Sequence, residues 1–188
     1  MRDGALLQAQ TCAKRKELNL IKQTYAVLVL AVCVYAVHSE ERLKIGGIEI
    51  VEYGIYRAKK VTSVEDKNVV GGSRDAIENF ILVSQTNKIP ATIGTRFGFR
   101  YVIKGEPKGA VITLKMVGKY PAPGLKSPGD KRPHYYDQYS LRVAVGDSFT
   151  SYSFDEEWEL VTGDWTFEIW YEGRKLAEKI FTVYKPTR

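Results

Sequence analysis

Apolar and polar side chains alternate along well-separated stretches of this 188-residue chain. From residue 97 to residue 104 every second position is a large apolar side chain. The same alternation returns over residues 110–116, after a glycine- and proline-containing turn at 105–109. A period of two is typical of a strand that buries one face. We therefore predict two strands joined as a hairpin, with the apolar phase facing a core.

The clearest alternation lies near the end of the chain, over residues 165–184, and a turn at 172–173 predicts a terminal hairpin there. An extended segment over residues 46–57 changes phase near Ile50, which indicates a β-bulge. Strand signals recur to residue 184 without a dominant helical period. The pattern predicts an all-β fold, an immunoglobulin-like antiparallel β-sandwich. The residues predicted to face its core are Phe97, Phe99, Tyr101, Ile112, Leu114, Trp165 and Phe167.

Residues 118–133 show no strand pattern. They contain four prolines and three glycines, which exclude a central strand and a helix. The segment carries several basic side chains and leads into a tyrosine-rich stretch at 134–139. Prolines limit the entropy that a loop loses on binding, so we expect a recognition loop; a crossover whose tyrosines pack on the domain is the alternative. Its candidate binding residues are Lys131, Arg132, His134, Tyr135 and Tyr136.

Trp170 is the other candidate binding residue. It lies on the opposite phase from Trp165 and beside Glu168, so the alternation places it on the surface. An exposed aromatic ring presents a large, rigid apolar face that suits a sugar or a peptide.

Residues 25–37 form an uncharged run of thirteen, preceded by basic residues and followed by small ones. This order is typical of a secretory signal peptide, and thirteen residues are short for a transmembrane helix, which needs about 20. We expect a signal-peptide helix within residues 1–39, ahead of the sandwich, with the true start downstream of Met1. Cleavage follows Ser39 or, alternatively, Ala36; a retained leader that anchors the protein in the membrane is a further alternative.

The mature chain, residues 40–188, is predicted to be a single domain in the periplasm or the extracellular medium. Both cysteines, Cys12 and Cys33, lie in the leader, so the domain is held by its core without a disulfide. His134 is its single histidine, which removes Cys/His zinc sites. The net charge of +6 is not clustered in one stripe, and we expect no nucleic-acid partner.

Several short segments share their residues and spacing with a known family. The longest are residues 94–101 (Gly-Thr-Arg-Phe-Gly-Phe-Arg-Tyr) and 158–167 (Trp-Glu-Leu-Val-Thr-Gly-Asp-Trp-Thr-Phe). The shorter ones are residues 53–56, 89–91, 173–178 and 181–183. Through them, residues 46–184 resemble the DUF3859 family, a bacterial domain of unknown function. The resemblance implies a small exported β domain and supplies no catalytic residues.

Candidate catalytic side chains are few. Carboxylates cluster at residues 155–159 and His134 stands apart, without the spacing of a calcium loop or a paired nucleophile. We predict a non-enzymatic binding or structural module of unknown ligand, with no cofactor and no metal. Its expected partner is an envelope protein or polymer, and it meets a membrane only through a retained leader. A carboxylate- or His-dependent hydrolase of the cell envelope is the alternative.

Overall fold

The computed structural model describes residues 43–187, and the predicted leader lies outside them. No helix within this range is long and apolar enough to span a bilayer. The described part contains nine strands, and a short 3₁₀ turn at Glu157–Glu159. The strands are β1 (Lys44–Glu65), β2 (Ser73–Ser84), β3 (Lys88–Pro90), β4 (Arg96–Glu106), β5 (Val111–Lys119), β6 (Tyr136–Ala144), β7 (Asp147–Ser153), β8 (Gly163–Tyr171) and β9 (Arg174–Tyr184).

These strands form two sheets. The four-stranded sheet has the order β2-β1-β4-β7, and the five-stranded sheet has the order β3-β9-β8-β5-β6. Neighbouring strands are antiparallel except β3 and β9, which are parallel. The predicted all-β sandwich is confirmed. The terminal hairpin is β8–β9, and the register shifts between Ile50 and Glu52, as the phase change predicted.

The prediction that residues 97–116 form a hairpin is wrong. β4 belongs to the four-stranded sheet and β5 to the five-stranded sheet, so their connection crosses between the layers. The β6–β7 connection crosses beside it, and the Val145 N–H donates to the Ala110 carbonyl at 2.8 Å. The physical reason is that both strands carry a complete apolar face. Placed in opposite sheets, the two faces pack against each other across one core.

The core contains the predicted alternating residues. Phe167 is half-buried and packs against the buried cluster, with its ring centroid 5.8 Å from that of Phe97. The Trp165 indole N–H donates to the Val161 carbonyl at 2.8 Å, so its burial leaves no unpaired donor. The other predicted core residues are confirmed as buried: Phe97, Phe99, Tyr101, Ile112, Leu114 and Trp165.

β1 and β2 extend beyond the sandwich as a two-stranded ribbon. In the described part of the chain, β1 pairs with β4 over residues 44–56 and with β2 from Ile55 onward, so beyond Tyr56 it pairs with β2 alone. Three register shifts interrupt the β1–β2 pairing, and bulges of this kind bend and twist a ribbon. The ribbon tip, residues 66–72, reaches the other sheet, where the Val70 N–H donates to Asp137 Oδ1 at 3.2 Å.

Candidate functional site

The outer face of the five-stranded sheet carries the candidate site, across β6, β5 and β8. Strand alternation sends the apolar side chains of β5 into the core and its Lys115 and Lys119 outward. The register places Lys115 opposite Trp170 of β8 and Lys119 opposite Tyr136 of β6. Strand pairing therefore brings basic and aromatic side chains from distant parts of the chain onto one face.

Trp170 lies half-buried in this face, and its orientation is held by two neighbours. Its indole N–H donates to Glu168 Oε2 at 2.8 Å. The Lys115 ammonium lies 5.2 Å from the centroid of the Trp170 ring, within the range of a cation–π contact. The ring is thus pre-oriented, which lowers the entropy that a ligand-binding side chain loses.

Glu168 lies on the outer face but is only 2% exposed, because neighbouring side chains cover it. Its Oε1 accepts hydrogen bonds from the ammonium groups of Lys119 at 2.7 Å and Lys175 at 3.4 Å. Burial by itself would raise the pKa of the Glu168 carboxyl. The hydrogen bonds from Lys119 and Trp170, and the charges of both lysines, outweigh burial and lower that pKa. The carboxylate is therefore ionised and fixes the side chains around it.

Two consecutive tyrosines complete the site, Tyr135 directly before β6 and Tyr136 as its first residue. Tyr135 and Tyr136 are 54% and 61% exposed, while the Tyr135 carbonyl accepts the Tyr120 N–H at 2.9 Å and holds the backbone in place. The result is a shallow groove of about 580 Å³. We call it the outer groove; its main lining residues are Lys115, Lys119, Tyr135, Tyr136, Gln138 and Trp170.

The structure brings together three of the six predicted binding residues. Tyr135, Tyr136 and Trp170 line the outer groove, whereas the exposed residues Lys131, Arg132 and His134 are not part of its lining.

The loop that carries the remaining three is tied to the domain. Leu125 is fully buried and exchanges two backbone hydrogen bonds with His134, at 2.7 and 2.8 Å. The imidazole of His134 lies 3.4 Å from Asp130 Oδ2. The loop therefore has a defined conformation, which a pre-organised recognition element requires.

The carboxylates at residues 155–159 divide into exposed and buried groups. Asp155, Glu156 and Glu157 are exposed, whereas Glu159 is 8% exposed. Glu159 accepts the Tyr152 hydroxyl at 2.7 Å and the backbone N–H groups of Asp155 and Glu156 at 2.6 and 2.8 Å. Burial raises the pKa of this carboxyl, and these hydrogen bonds only partly offset the effect. Its contacts are those of a capping residue at the 3₁₀ turn.

Residues 43–187 contain no group of three or more His, Asp or Glu side chains placed to hold a metal ion. The residues that sequence reasoning missed are those that assemble the outer groove, Lys115, Lys119 and Glu168. Lys115 and Lys119 could have been found from the alternation of β5, because both occupy its exposed positions. No local signal marked Glu168 as buried, because its cover comes from β5 and β9.

Comparisons with known proteins agree with this architecture. The profile of the family described as "Domain of unknown function (DUF3859)" matches residues 46–183. A similar solved structure is that of an immunoglobulin-like protein from Pseudomonas aeruginosa, which is 26% identical and superposes with a TM-score of 0.50. The alignment covers 78% of this chain and 99% of that chain. No curated protein matches the sequence.

Proposed function

Since the chain belongs to the DUF3859 family of domains of unknown function, we propose that it is an exported, non-enzymatic module that binds an acidic polysaccharide of the cell envelope. The observation that carries this is the outer groove, where three aromatic rings and two lysines share one face. Aromatic faces stack on sugar rings, and ammonium groups pair with carboxylates along an acidic polymer. A shallow, open groove also admits a long chain without requiring its end.

Glu168 supports a binding role for the groove. It neutralises part of the charge of Lys119 and Lys175 at close range, but Lys115 lies over Trp170 and makes no ion pair in the described part of the chain. The groove lining therefore keeps a net positive charge. Lys115 is also adjacent to a ring, which places the cation and the stacking surface within reach of one sugar unit.

The non-enzymatic part of the proposal rests on how the candidate catalytic groups are used. Both carboxylate oxygens of Glu159 accept hydrogen bonds that organise the 3₁₀ turn. His134 is exposed on the loop and faces Asp130. A hydrolase needs an acid and a base that face one bound substrate, and neither group lines the outer groove.

A binding assay tests the groove directly. We expect the protein to bind polygalacturonate and to ignore dextran of the same length, with affinity that falls as salt is added. Replacing Tyr135 and Tyr136 together by Ala should weaken binding at least about tenfold, which corresponds to about 1.4 kcal/mol, without changing the melting temperature. Isothermal titration calorimetry measures the affinity.

Tyr184→Ala is the matched control, because Tyr184 is an exposed tyrosine on β9 outside the groove. Its affinity should equal that of the wild type. Equal binding of the neutral and acidic polymers, or full binding by the double variant, would contradict the proposal.

Export rests on the leader at residues 1–39, which lies outside the described residues. We expect the protein recovered from its host to begin near Glu40, or near Val37 if cleavage follows Ala36, and to occupy the periplasmic or secreted fraction. Intact-mass spectrometry of that fraction measures the N-terminus. An uncleaved chain in the cytosol would overturn the export proposal and leave the groove proposal untouched.

A further inference from the structure

A second recess lies between the two sheets, at the side where β6 and β7 are the edge strands. It has a volume of about 650 Å³, which is in the range of small-molecule sites. Side chains of β6 and β7 form its walls, and side chains of the β1–β2 ribbon line it from above. We call it the inter-sheet cavity.

The ribbon covers the cavity and contacts both edge strands. On the side of β7, the ring of Phe80 stacks on that of Phe149, with a centroid distance of 4.5 Å. The Val70 N–H donates to Asp137 Oδ1 at 3.2 Å. The Arg74 guanidinium lies 4.4 Å from the centroid of the Tyr139 ring and pairs with Asp66 at 2.8 Å. This cover is a two-stranded ribbon held to β6 by few contacts. Such an element opens at low cost compared with the sheets.

The cavity wall contains two matched pairs of a tyrosine and a carboxylate. The Tyr120 hydroxyl donates to Asp137 Oδ2 at 2.5 Å, and the Tyr152 hydroxyl donates to Glu159 Oε1 at 2.7 Å. The rings of both tyrosines contact Trp165, at centroid distances of 4.8 and 5.0 Å. The wall therefore presents aromatic rings with two carboxylates, of which Asp137 is 7% and Glu159 8% exposed.

The hydrogen bonds leave this wall rich in acceptors. Asp137 accepts two hydrogen bonds and Glu159 accepts three from described residues, whereas a carboxylate has about four acceptor sites. Burial raises the pKa of both tyrosines, so their hydroxyl protons stay in place and are already donated to the carboxylates. A positively charged ligand with N–H donors would fill the acceptor sites of Asp137 and Glu159 that the protein leaves open.

The charges around the cavity favour the same ligand. Three cationic side chains reach it, Lys60, Arg74 and Arg96, and each is at least partly exposed to solvent. The lining contains three buried carboxyl groups, Asp137 and Glu159 beside the tyrosines and Glu168, and the exposed carboxylates of Asp155 and Glu156 add to them. Burial raises the pKa of Asp137 and Glu159, and a bound cation favours the ionised form of both. Aromatic rings and carboxylates together are the chemistry that proteins use to hold organic cations.

We propose that the inter-sheet cavity binds a small organic cation, an ammonium group on an apolar body, and that the β1–β2 ribbon opens to admit it. The ammonium lies against Asp137 and Glu159, and the apolar body contacts the aliphatic and aromatic wall, which includes Leu141 and Val143 of β6. The inter-sheet cavity adjoins the outer groove, and the two linings share Val117, Tyr120 and Glu168. The cation proposal rests on Asp137 and Glu159, which do not line the outer groove, and does not depend on the polysaccharide proposal.

The test uses three probes with one indole body and different charge: tryptamine, the neutral tryptophol and the anionic indole-3-propionate. We expect calorimetry on the full chain to show saturable binding of tryptamine, at least about tenfold tighter than that of the other two. Asp137→Asn, which keeps the shape and the acceptor oxygen, should weaken tryptamine binding about tenfold while the protein remains folded.

Two further measurements show where tryptamine binds and provide a control variant. The Trp158 indole N–H signal, assigned through Trp158→Phe, should shift on tryptamine binding, since Trp158 lines the cavity and lies against the ribbon tip at Gly71. The double replacement of Tyr135 and Tyr136 by Ala should leave tryptamine affinity unchanged. Equal affinity for all three probes, no saturable binding, or full binding by both Asp137→Asn and Glu159→Gln would overturn the proposal.

Discussion

Glu168 is an ionised carboxylate that is almost completely buried between two lysines and a tryptophan. Burying a charge is costly unless it is paired and hydrogen-bonded, and here Lys119, Lys175 and Trp170 supply three donors. One residue therefore serves two purposes. It stabilises the outer face of β8, and it sets the orientation of the Trp170 ring in the outer groove.

Replacing Glu168 by Gln should lower the free energy of unfolding by about 1–3 kcal/mol at neutral pH, since a charged, buried acceptor is lost. The folded-state pKa of Glu168 lies below the ordinary value of 4.5. Its contribution is therefore fully present above the unfolded-state pKa and is lost as the pH falls through the folded-state pKa. The difference between wild type and variant should shrink below about pH 4.5, as urea unfolding at several pH values measures.

Glu178→Gln is the control for this prediction. Glu178 also pairs with Lys175, but it is exposed, so its replacement should change stability by less than about 0.5 kcal/mol. A Glu168→Gln variant that is as stable as Glu178→Gln at neutral pH would show that the buried charge contributes nothing.

Between elements, two glycines set how closely the strands of the four-stranded sheet approach. Gly54 of β1 lies opposite Gly98 of β4. A Cβ atom at Gly98 would lie 2.1 Å from the Thr150 carbonyl oxygen, and one at Gly54 would lie 2.0 Å from that of Ser84. These distances are far inside van der Waals contact. Glycine at these two positions therefore lets β1 approach the end of β2, and β4 approach β7.

Gly98→Ala should therefore destabilise the protein by about 3 kcal/mol or more, because β7 must move away from β4. Gly129→Ala is the matched control, since no atom lies within 4 Å of a Cβ there. Chemical denaturation of both variants gives the comparison. If Gly98→Ala is as stable as Gly129→Ala, the close approach of β4 and β7 is not required.

At the scale of the whole molecule, one aromatic core joins the sheets without a disulfide, because the described residues contain no cysteine. Phe97 occupies its centre, with ring centroids of Phe154, Trp165 and Phe181 within 5.2–5.8 Å. Each sheet contributes rings to this cluster. The stability of the sandwich thus depends on packing across the layers.

Phe97→Ala should lower the free energy of unfolding by about 3–5 kcal/mol, the cost of a cavity at a fully buried aromatic position. Ile180→Ala, at an exposed position on β9, should cost less than about 1 kcal/mol. Thermal and urea unfolding measure both, and reductant should change neither midpoint. A loss below about 1 kcal/mol for Phe97→Ala would place the core elsewhere.

Much of this fold could be predicted from local alternation. The inward phases of β4, β5 and β8, the terminal hairpin and the bulge near Ile50 all follow from which positions are apolar, because a strand sends alternate side chains to opposite faces. The absence of strand over residues 120–135 follows from prolines that lack an N–H. Strand alternation also predicted that Trp170 lies on the surface of the sheet.

What only the tertiary structure decided is which strands share a sheet. A period of two shows that a strand has an apolar face, but it does not identify the strand that pairs with it. Residues 97–116 were therefore predicted as a hairpin, although β4 and β5 lie in opposite sheets. The burial of Glu168 and Asp137, and the cover that the β1–β2 ribbon forms, depend on contacts between residues far apart in the chain. Strand pairing and packing between the sheets bring together side chains that are distant in sequence, and a local sequence pattern does not predict those contacts.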